Sequence, residues 1–299
     1  LRTVTGVQTC ALPIYLITSG KERAANKFSA SGLSAYINCP LQFYFRYVAG
    51  LKKEEDMTDE IDDRMFGTLL HNSIHSLYSD KKNLTESVIA SLEQEITETV
   101  SSVFTNEIPQ KAKTLFGKNL LMKRAIEELV NKILDADKAS APIEILMLER
   151  RVTLSFRISE SQTVSLYGII DRVDKVNGIT RLLDYKTGKV KGTSYRNVED
   201  LFTDPKKKEI FQLMFYVLFY YALSKGELPA AGLYVLRGIS DGVKYINDNS
   251  SPVAEESFMA YKDRLVELFS EILNPKIPFV QTEDNERCTY CDFKDICMR

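Results

Sequence analysis

Residues 166–188 read LYGIIDRVDKVNGITRLLDYKTG, and the alternation of apolar and polar side chains predicts two β-strands joined by a tight turn at Asn177 and Gly178. Side chains alternate across a strand with a period of two, so Asp184 and Lys186 share one face of the second strand. The hairpin brings Asp171, on the first strand, toward the same pocket. Two carboxylates and an ammonium among Ile169, Ile170, Leu182 and Leu183 cost free energy unless each is paired or bound to metal. Hard carboxylate oxygens suit Mg²⁺ or Mn²⁺, and a lysine beside them can hold and help deprotonate an attacking water or stabilise a phosphorane oxygen. The competing reading is an edge hairpin with a solvent-facing salt bridge between Asp184 and Lys186, which carries no chemistry.

Around the hairpin, Ile143 to Lys186 is rich in Val, Ile, Leu and Tyr with alternation, a β-meander. Residues 65–140 before it are largely helical, with RMFGTLLHNSIHSLYSD (64–80) and stretches of about 84–104 and 118–137 showing amphipathic periodicity. Nearer the start, SASGLSAYINCPLQFYFRYVAGL (29–51) offers Ser29 or Ser31 as an N-cap and is interrupted by Pro40, so two short helices with a kink are expected. After the meander come a long apolar helix (208–226), a strand AAGLYVLRG (230–238) and an amphipathic helix (255–273). The chain contains no internal repeat and no low-complexity tract. The fold class expected is mixed α/β (α+β), with 143–246 carrying the catalytic sheet and helix.

Composition narrows the function classes. The 299 residues are 44% hydrophobic and 27% charged, enough to bury a sizeable core. No apolar run approaches the roughly 20 residues of a membrane helix, so a cytoplasmic protein with no membrane partner is expected. A net charge of -2 gives no global attraction to nucleic acid, so any such partner must meet a local basic surface. No G-x-x-x-x-G-K-[ST] loop occurs, which removes ATPase chemistry from this stretch. His71 and His75 in HNSIH have zinc-protease spacing, but Asn72 stands where that chemistry needs Glu, and His75 is read as a satisfied or supporting residue. Residues 4–14, VTGVQTCALPI, can be back-translated as a common sequencing-library adapter. Residues 1–14 with Cys10 are therefore read as an assembly scar, and the gene is expected to continue upstream.

Two more patterns converge on the hairpin. FGTLLH places His71 on a helix as a possible metal ligand, and QLMFY sets Gln212 and Tyr216 four apart on one helical face. With YGIIDRVD and LLDYKTG, these motifs resemble the RecB-like branch of the PD-(D/E)XK nuclease superfamily. The resemblance extends from about residue 28 to the C-terminal cysteines. It implies a restriction-endonuclease-like core, a central mixed β-sheet flanked by helices with a helical insert, within a nuclease domain spanning 15–299. It further implies that His71, Asp171, Asp184 and the main-chain carbonyl of Tyr185 bind Mg²⁺ or Mn²⁺. By the same resemblance Lys186 positions water, and Gln212 and Tyr216 orient the lysine or the DNA strand. No proline precedes Asp171, so the first half of the superfamily's name is not spelled out, and the second motif reads Asp-x-Lys. Glu149, in MLERRVTLSF (147–156), is a weaker candidate for the pocket and is read as a structural or surface residue.

ERCTYCDFKDICMR (286–299) places Cys288, Cys291 and Cys297 within ten residues, and Cys39 precedes Pro40 near the start. Four thiolates at these spacings leave structural zinc and iron–sulfur open. The resemblance to AddB-type nucleases and to CRISPR-associated adaptation exonucleases implies a 4Fe–4S cluster on Cys39, Cys288, Cys291 and Cys297. Such a cluster would staple the N-terminal region to the 285–299 segment. Lys189, Lys191 and Arg196 follow the catalytic strand and Lys206, Lys207 and Lys208 precede the Gln212 helix, where a basic cluster would serve phosphate neutralisation. The function implied is a metal-dependent deoxyribonuclease, the C-terminal exonuclease domain of an AddB-like helicase–nuclease subunit. Its partners would be DNA ends, an upstream helicase-like region and a helicase subunit, in double-strand-break repair. The alternatives are a stand-alone CRISPR-adaptation exonuclease, against which the long helical insert argues mildly, and a non-catalytic DNA-end-binding module. The second would be expected to have lost one of Asp171, Asp184 and Lys186.

Overall fold

The computed structural model describes residues 27–51, 62–108, 117–236 and 242–299. The adapter-like stretch, Cys10 included, lies outside them. The chain runs β1 (Lys27–Phe28), α1 (Ala30–Asn38), α2 (Pro40–Phe43) and a π-helical turn (Tyr44–Val48). There follow α3 (Asp63–Tyr78), β2 (Asn83–Leu84), α4 (Glu86–Glu107) and α5 (Lys118–Ser140). The remaining elements are β3 (Ile143–Arg157), β4 (Thr163–Val176), β5 (Ile179–Lys186), α6 (Asp200–Thr203), α7 (Lys208–Leu223), β6 (Ala230–Val235), β7 (Val243–Tyr245) and α8 (Glu255–Ile272).

The helix boundaries follow local chemistry. Ser29, Asp62 and Thr85 are the N-caps of α1, α3 and α4, each accepting a backbone N–H with its side-chain oxygen. Cys39, extended at φ −164°, separates α1 from α2, and Pro40 takes the first turn of α2, where its missing N–H costs nothing. The expected kink is there. In the meander, Asn177 (φ 50°) and Gly178 (φ 83°) make the two-residue turn between β4 and β5 with both central residues left-handed.

The strands form one mixed sheet in the order β2-β3-β4-β5-β6-β7, with β1 pairing β4 as an additional strand. The β5–β6 pair is parallel and is joined through α7, as a crossover requires. β5 is therefore central, flanked by β4 and β6, and the edge-hairpin reading is overturned. One face of the sheet packs against α1, α7 and α8 through Leu33, Phe215, Phe219, Phe258 and Phe269. The other packs against the helical insert of α3, α4 and α5 through Leu70, Leu92, Val100 and Leu134. α7 is apolar nearly all round because it lies between the sheet and α8, so it has no wide solvent face to mark with polar residues.

Candidate active site

Asp184 and Lys186 leave β5 on the face that α7 covers, and Asp184 is only 2% exposed. The Lys186 Nζ stands 2.7 Å from Asp184 Oδ2, a charge contact without hydrogen-bond alignment, so that oxygen is buried with no hydrogen bond. Lys186 donates instead to Gln212 Oε1 (2.8 Å), and Gln212 Nε2 donates to the Tyr216 hydroxyl (2.8 Å). The four-residue spacing of Gln212 and Tyr216 on α7 makes this relay possible. Burial works against the Lys186 charge, but the Asp184 carboxylate outweighs it and raises the lysine's pKa above its ordinary value. Lys186 is thus an ammonium that donates and orients.

Asp171 enters from β4. Its Oδ2 accepts the backbone N–H of Tyr185 (2.9 Å), which ties β4 to the residue between Asp184 and Lys186. His71 on α3 reaches across with Nδ1 3.8 Å from Asp171 Oδ1 and 2.8 Å from Glu149 Oε1. His71, Glu149 and Asp171 bring one ligand atom each to within 4.8 Å of one another, alone among the described His, Cys, Asp and Glu side chains in forming such a group.

The structure thus corrects the reading of Glu149 as structural or surface: it faces the pocket. The cause is a break in both strands. Pairing passes from Leu148–Arg172 to Arg150–Ile170 without joining Glu149 to Asp171, and Glu149 sits at φ 44°. Ile170 and Val173, three apart, both face the α7 side, so the period-two alternation slips at Asp171. A left-handed glutamate is uncommon and strained, and nothing in the sequence around residue 149 announces it. His75 is exposed and belongs to no metal-ligating group among the described residues, which corrects its reading as a satisfied or supporting residue.

Burial alone would lower the pKa of His71, but the Asp171 charge and the Glu149 hydrogen bond raise it to about 9. Burial also pushes the Asp171 carboxyl up, helped by the neighbouring Asp184 charge. Three carboxylates crowded around one imidazole, with a single ammonium at 2.7 Å from one of them, form a site that a divalent cation would satisfy.

Behind β5 lies a buried ionic cluster that sequence reasoning missed. Arg172 is fully buried and donates to Asp174 Oδ2 (2.6 Å) and Asp137 Oδ2 (2.7 Å), while Arg181 donates to Asp174 Oδ1 (2.7 Å). Tyr78 and Tyr234 donate to the two Asp137 oxygens. The cluster locks α5 to the back of the catalytic strand, and Tyr185 lies between its rings and the edge of His71. Its only signal in the sequence is an arginine between two aspartates in an apolar strand.

The four cysteines converge. Cys39, Cys288, Cys291 and Cys297 line one small cavity. Burial raises the thiol pKa of Cys288 and Cys297, and the neighbouring cysteine sulfurs raise both further. The basic residues are placed unevenly. Lys189, Lys191, Lys206 and Lys208 are exposed, whereas Lys207 donates to the Ser194 carbonyl (2.6 Å) and Arg196 lies beside Asp200.

The B subunit of the ATP-dependent helicase/deoxyribonuclease of Clostridium tetani is 26% identical over 184 residues, which is 54% of this chain and 15% of that protein. Its namesake from Streptococcus agalactiae is 24% identical over 167 residues, 54% of this chain and 14% of its own. The chain thus matches about one seventh of the length of these relatives. Residues 27–298, from β1 through the last cysteine, match the family model of the PD-(D/E)XK nucleases, and on that extent the chain belongs to the PD-(D/E)XK nuclease superfamily.

Proposed function

We propose that this chain hydrolyses DNA phosphodiesters with Mg²⁺ or Mn²⁺, as the nuclease domain of an AddB-like helicase–nuclease subunit. The observation that carries the reading is the convergence of His71, Glu149 and Asp171 beside the buried Asp184–Lys186 ion pair. His71, Glu149, Asp171, Asp184 and the Tyr185 carbonyl would hold the cation. When bound there, a divalent ion lowers the pKa of water and neutralises phosphate charge. Lys186 then orients water or a phosphate oxygen as a charged donor, while Gln212, fixed by Tyr216, holds the lysine's direction. The Tyr185 N–H bond keeps Asp171 in place. Exposed Lys189, Lys191, Lys206 and Lys208 would neutralise flanking phosphates.

In the same proposal the cysteines carry a 4Fe–4S cluster. The four cysteines line one small cavity, and the preference for the cluster over a four-thiolate zinc site rests on the resemblance to AddB-type nucleases. Removal of nucleotides from DNA ends during break repair, in the cytoplasm and beside a helicase subunit, completes the proposal.

The test is cleavage of end-labelled single- and double-stranded DNA with Mg²⁺ or Mn²⁺ by anaerobically prepared protein, beside Asp184→Ala and Lys186→Ala. Metal-dependent cleavage is expected in the wild type and a loss of at least about 10²-fold in each variant. Retained cleavage in either variant overturns the site assignment. Inert but folded wild-type protein overturns the nuclease reading for this chain.

A further inference from the structure

A groove of 670 Å³ opens between the N-terminal arm and the β3–β4 hairpin, and nothing in the site just described uses it. Tyr47 on the π-helical turn and Tyr167 on β4 line it, each 42% exposed, together with Ile169 at 37%. Large exposed apolar groups gathered in one concavity mark a binding surface. Lys27, Arg46 and Arg151 also line the groove and no acidic residue among the described ones does, in a chain whose net charge is -2. Lys27 and Arg151 make no ion pair among the described residues, and Arg46 pairs with Asp292, which lies outside the groove.

One residue of the groove wall packs against the catalytic relay. Gly168 lines the groove, and an added Cβ there would stand 3.0 Å from the Tyr216 ring, whose hydroxyl accepts from Gln212. Tyr167 precedes Asp171 by four residues, about 13 Å of extended strand. Across the hairpin Arg151 pairs with Ile169 and Thr153 with Tyr167, so one cation and one ring lie two residues apart on the same face.

We propose that this groove is the track for a single DNA strand: Tyr47 and Tyr167 stack bases, and Lys27 and Arg151 meet phosphates, delivering the strand to Asp184. The delivery, though not the binding, rests on the nuclease reading. The occupant follows from chemistry. Exposed tyrosine faces need unstacked bases, which a duplex does not offer, and acid-free cationic walls need a polyanion.

Fluorescence anisotropy of a labelled single-stranded oligonucleotide tests it, with the full chain in Ca²⁺, and a hairpin duplex as second probe. Tyr47→Ala with Tyr167→Ala is expected to weaken single-strand binding at least about tenfold and to leave the weaker duplex binding within about twofold. Tyr47→Phe with Tyr167→Phe keeps the rings and is expected to restore affinity, which separates stacking from folding damage. Arg151→Ala is expected to reduce the salt dependence of binding. Single-strand affinity unchanged in the alanine pair, or lost equally for single strand and duplex, overturns the groove. Wild-type cleavage that is lost in Asp184→Ala but unaffected by the alanine pair removes the groove and leaves the nuclease standing. Single-strand binding lost in the alanine pair, in a protein that never cleaves, does the reverse.

Discussion

Glu149 is the residue whose role the structure changes most. A carboxylate 2.8 Å from His71 and in one cluster with Asp171 either completes a cation site or merely orients the imidazole. Glu149→Gln keeps the shape and one hydrogen-bond acceptor while removing the charge. It is expected to weaken Mn²⁺ binding about 10–100-fold, as loss of ligand or supporting partners does in metal sites. Titration of Mn²⁺ by paramagnetic resonance reads this directly, and wild-type affinity in the variant would return Glu149 to a structural role. The same titration has a pH signature. In the metal-free protein His71 has a pKa raised to about 9, so below that pH the cation must displace its proton. Affinity is therefore expected to rise with pH as far as about pH 9 and to flatten above it, by up to about tenfold per unit from His71 alone and more steeply below about pH 8, where the Asp171 carboxyl also gives up its proton. A flat profile between pH 6 and 9 would mean that neither His71 nor Asp171 ligates.

At the scale of elements, the β4–β5 hairpin was legible because its signals are local: the Asn177–Gly178 turn, alternation along each strand, and Asp184 and Lys186 two apart. Ser29, the N-cap of α1, was legible for the same reason. The slip in alternation at Asp171 and the left-handed Glu149 were not, because they exist only where two strands and α3 meet. The fit of α7 on β4 is also non-local, and it makes a prediction. A Cβ at Gly168 would lie 2.9 Å from Phe219 Cε2 and 3.0 Å from Tyr216 Cε1, closer than packed atoms come. Phe219 is fully buried and has no room to retreat, so Gly168→Ala must displace Tyr216 or lift α7. A loss of about 1–3 kcal/mol in stability is expected, by denaturant unfolding. Because Tyr216 anchors Gln212 and through it Lys186, kcat is expected to fall more than KM rises. Unchanged unfolding and unchanged kcat together would show that the helix absorbs the methyl group without moving the relay.

For the whole molecule the decisive contacts join the two ends of the described chain. Spacing marked the C-terminal cysteines as candidate ligands, but only the family resemblance anticipated that Cys39 meets partners some 250 positions away, since no local pattern encodes a closure of that length. The C-terminal segment lies on α1 and α2: Leu41 N–H donates to Val280 O, Arg287 donates to the carbonyls of Ile37 and Asn38, and Phe293 packs on Phe45. Yet from residue 281 onward only Cys288 and Phe293 are buried, while Tyr290, Ile296 and Met298 are more than half exposed. Two buried side chains contribute about 3–6 kcal/mol, and ordering each backbone residue costs about 1–2 kcal/mol, so an arm of this length needs a further anchor. A metal group bound by the four cysteines would supply one, because its binding energy is folding energy. Removing the proposed cluster by chelation under oxidising conditions, or by Cys291→Ser, is therefore expected to raise hydrogen exchange across 281–299 and α1 by at least about tenfold. The sheet beneath α7 carries its own core and is expected to keep its protection. Exchange that rises equally in β5 and α7 would make the cysteines part of the global fold and not a terminal staple. No change anywhere would mean that the arm is held by its hydrogen bonds alone.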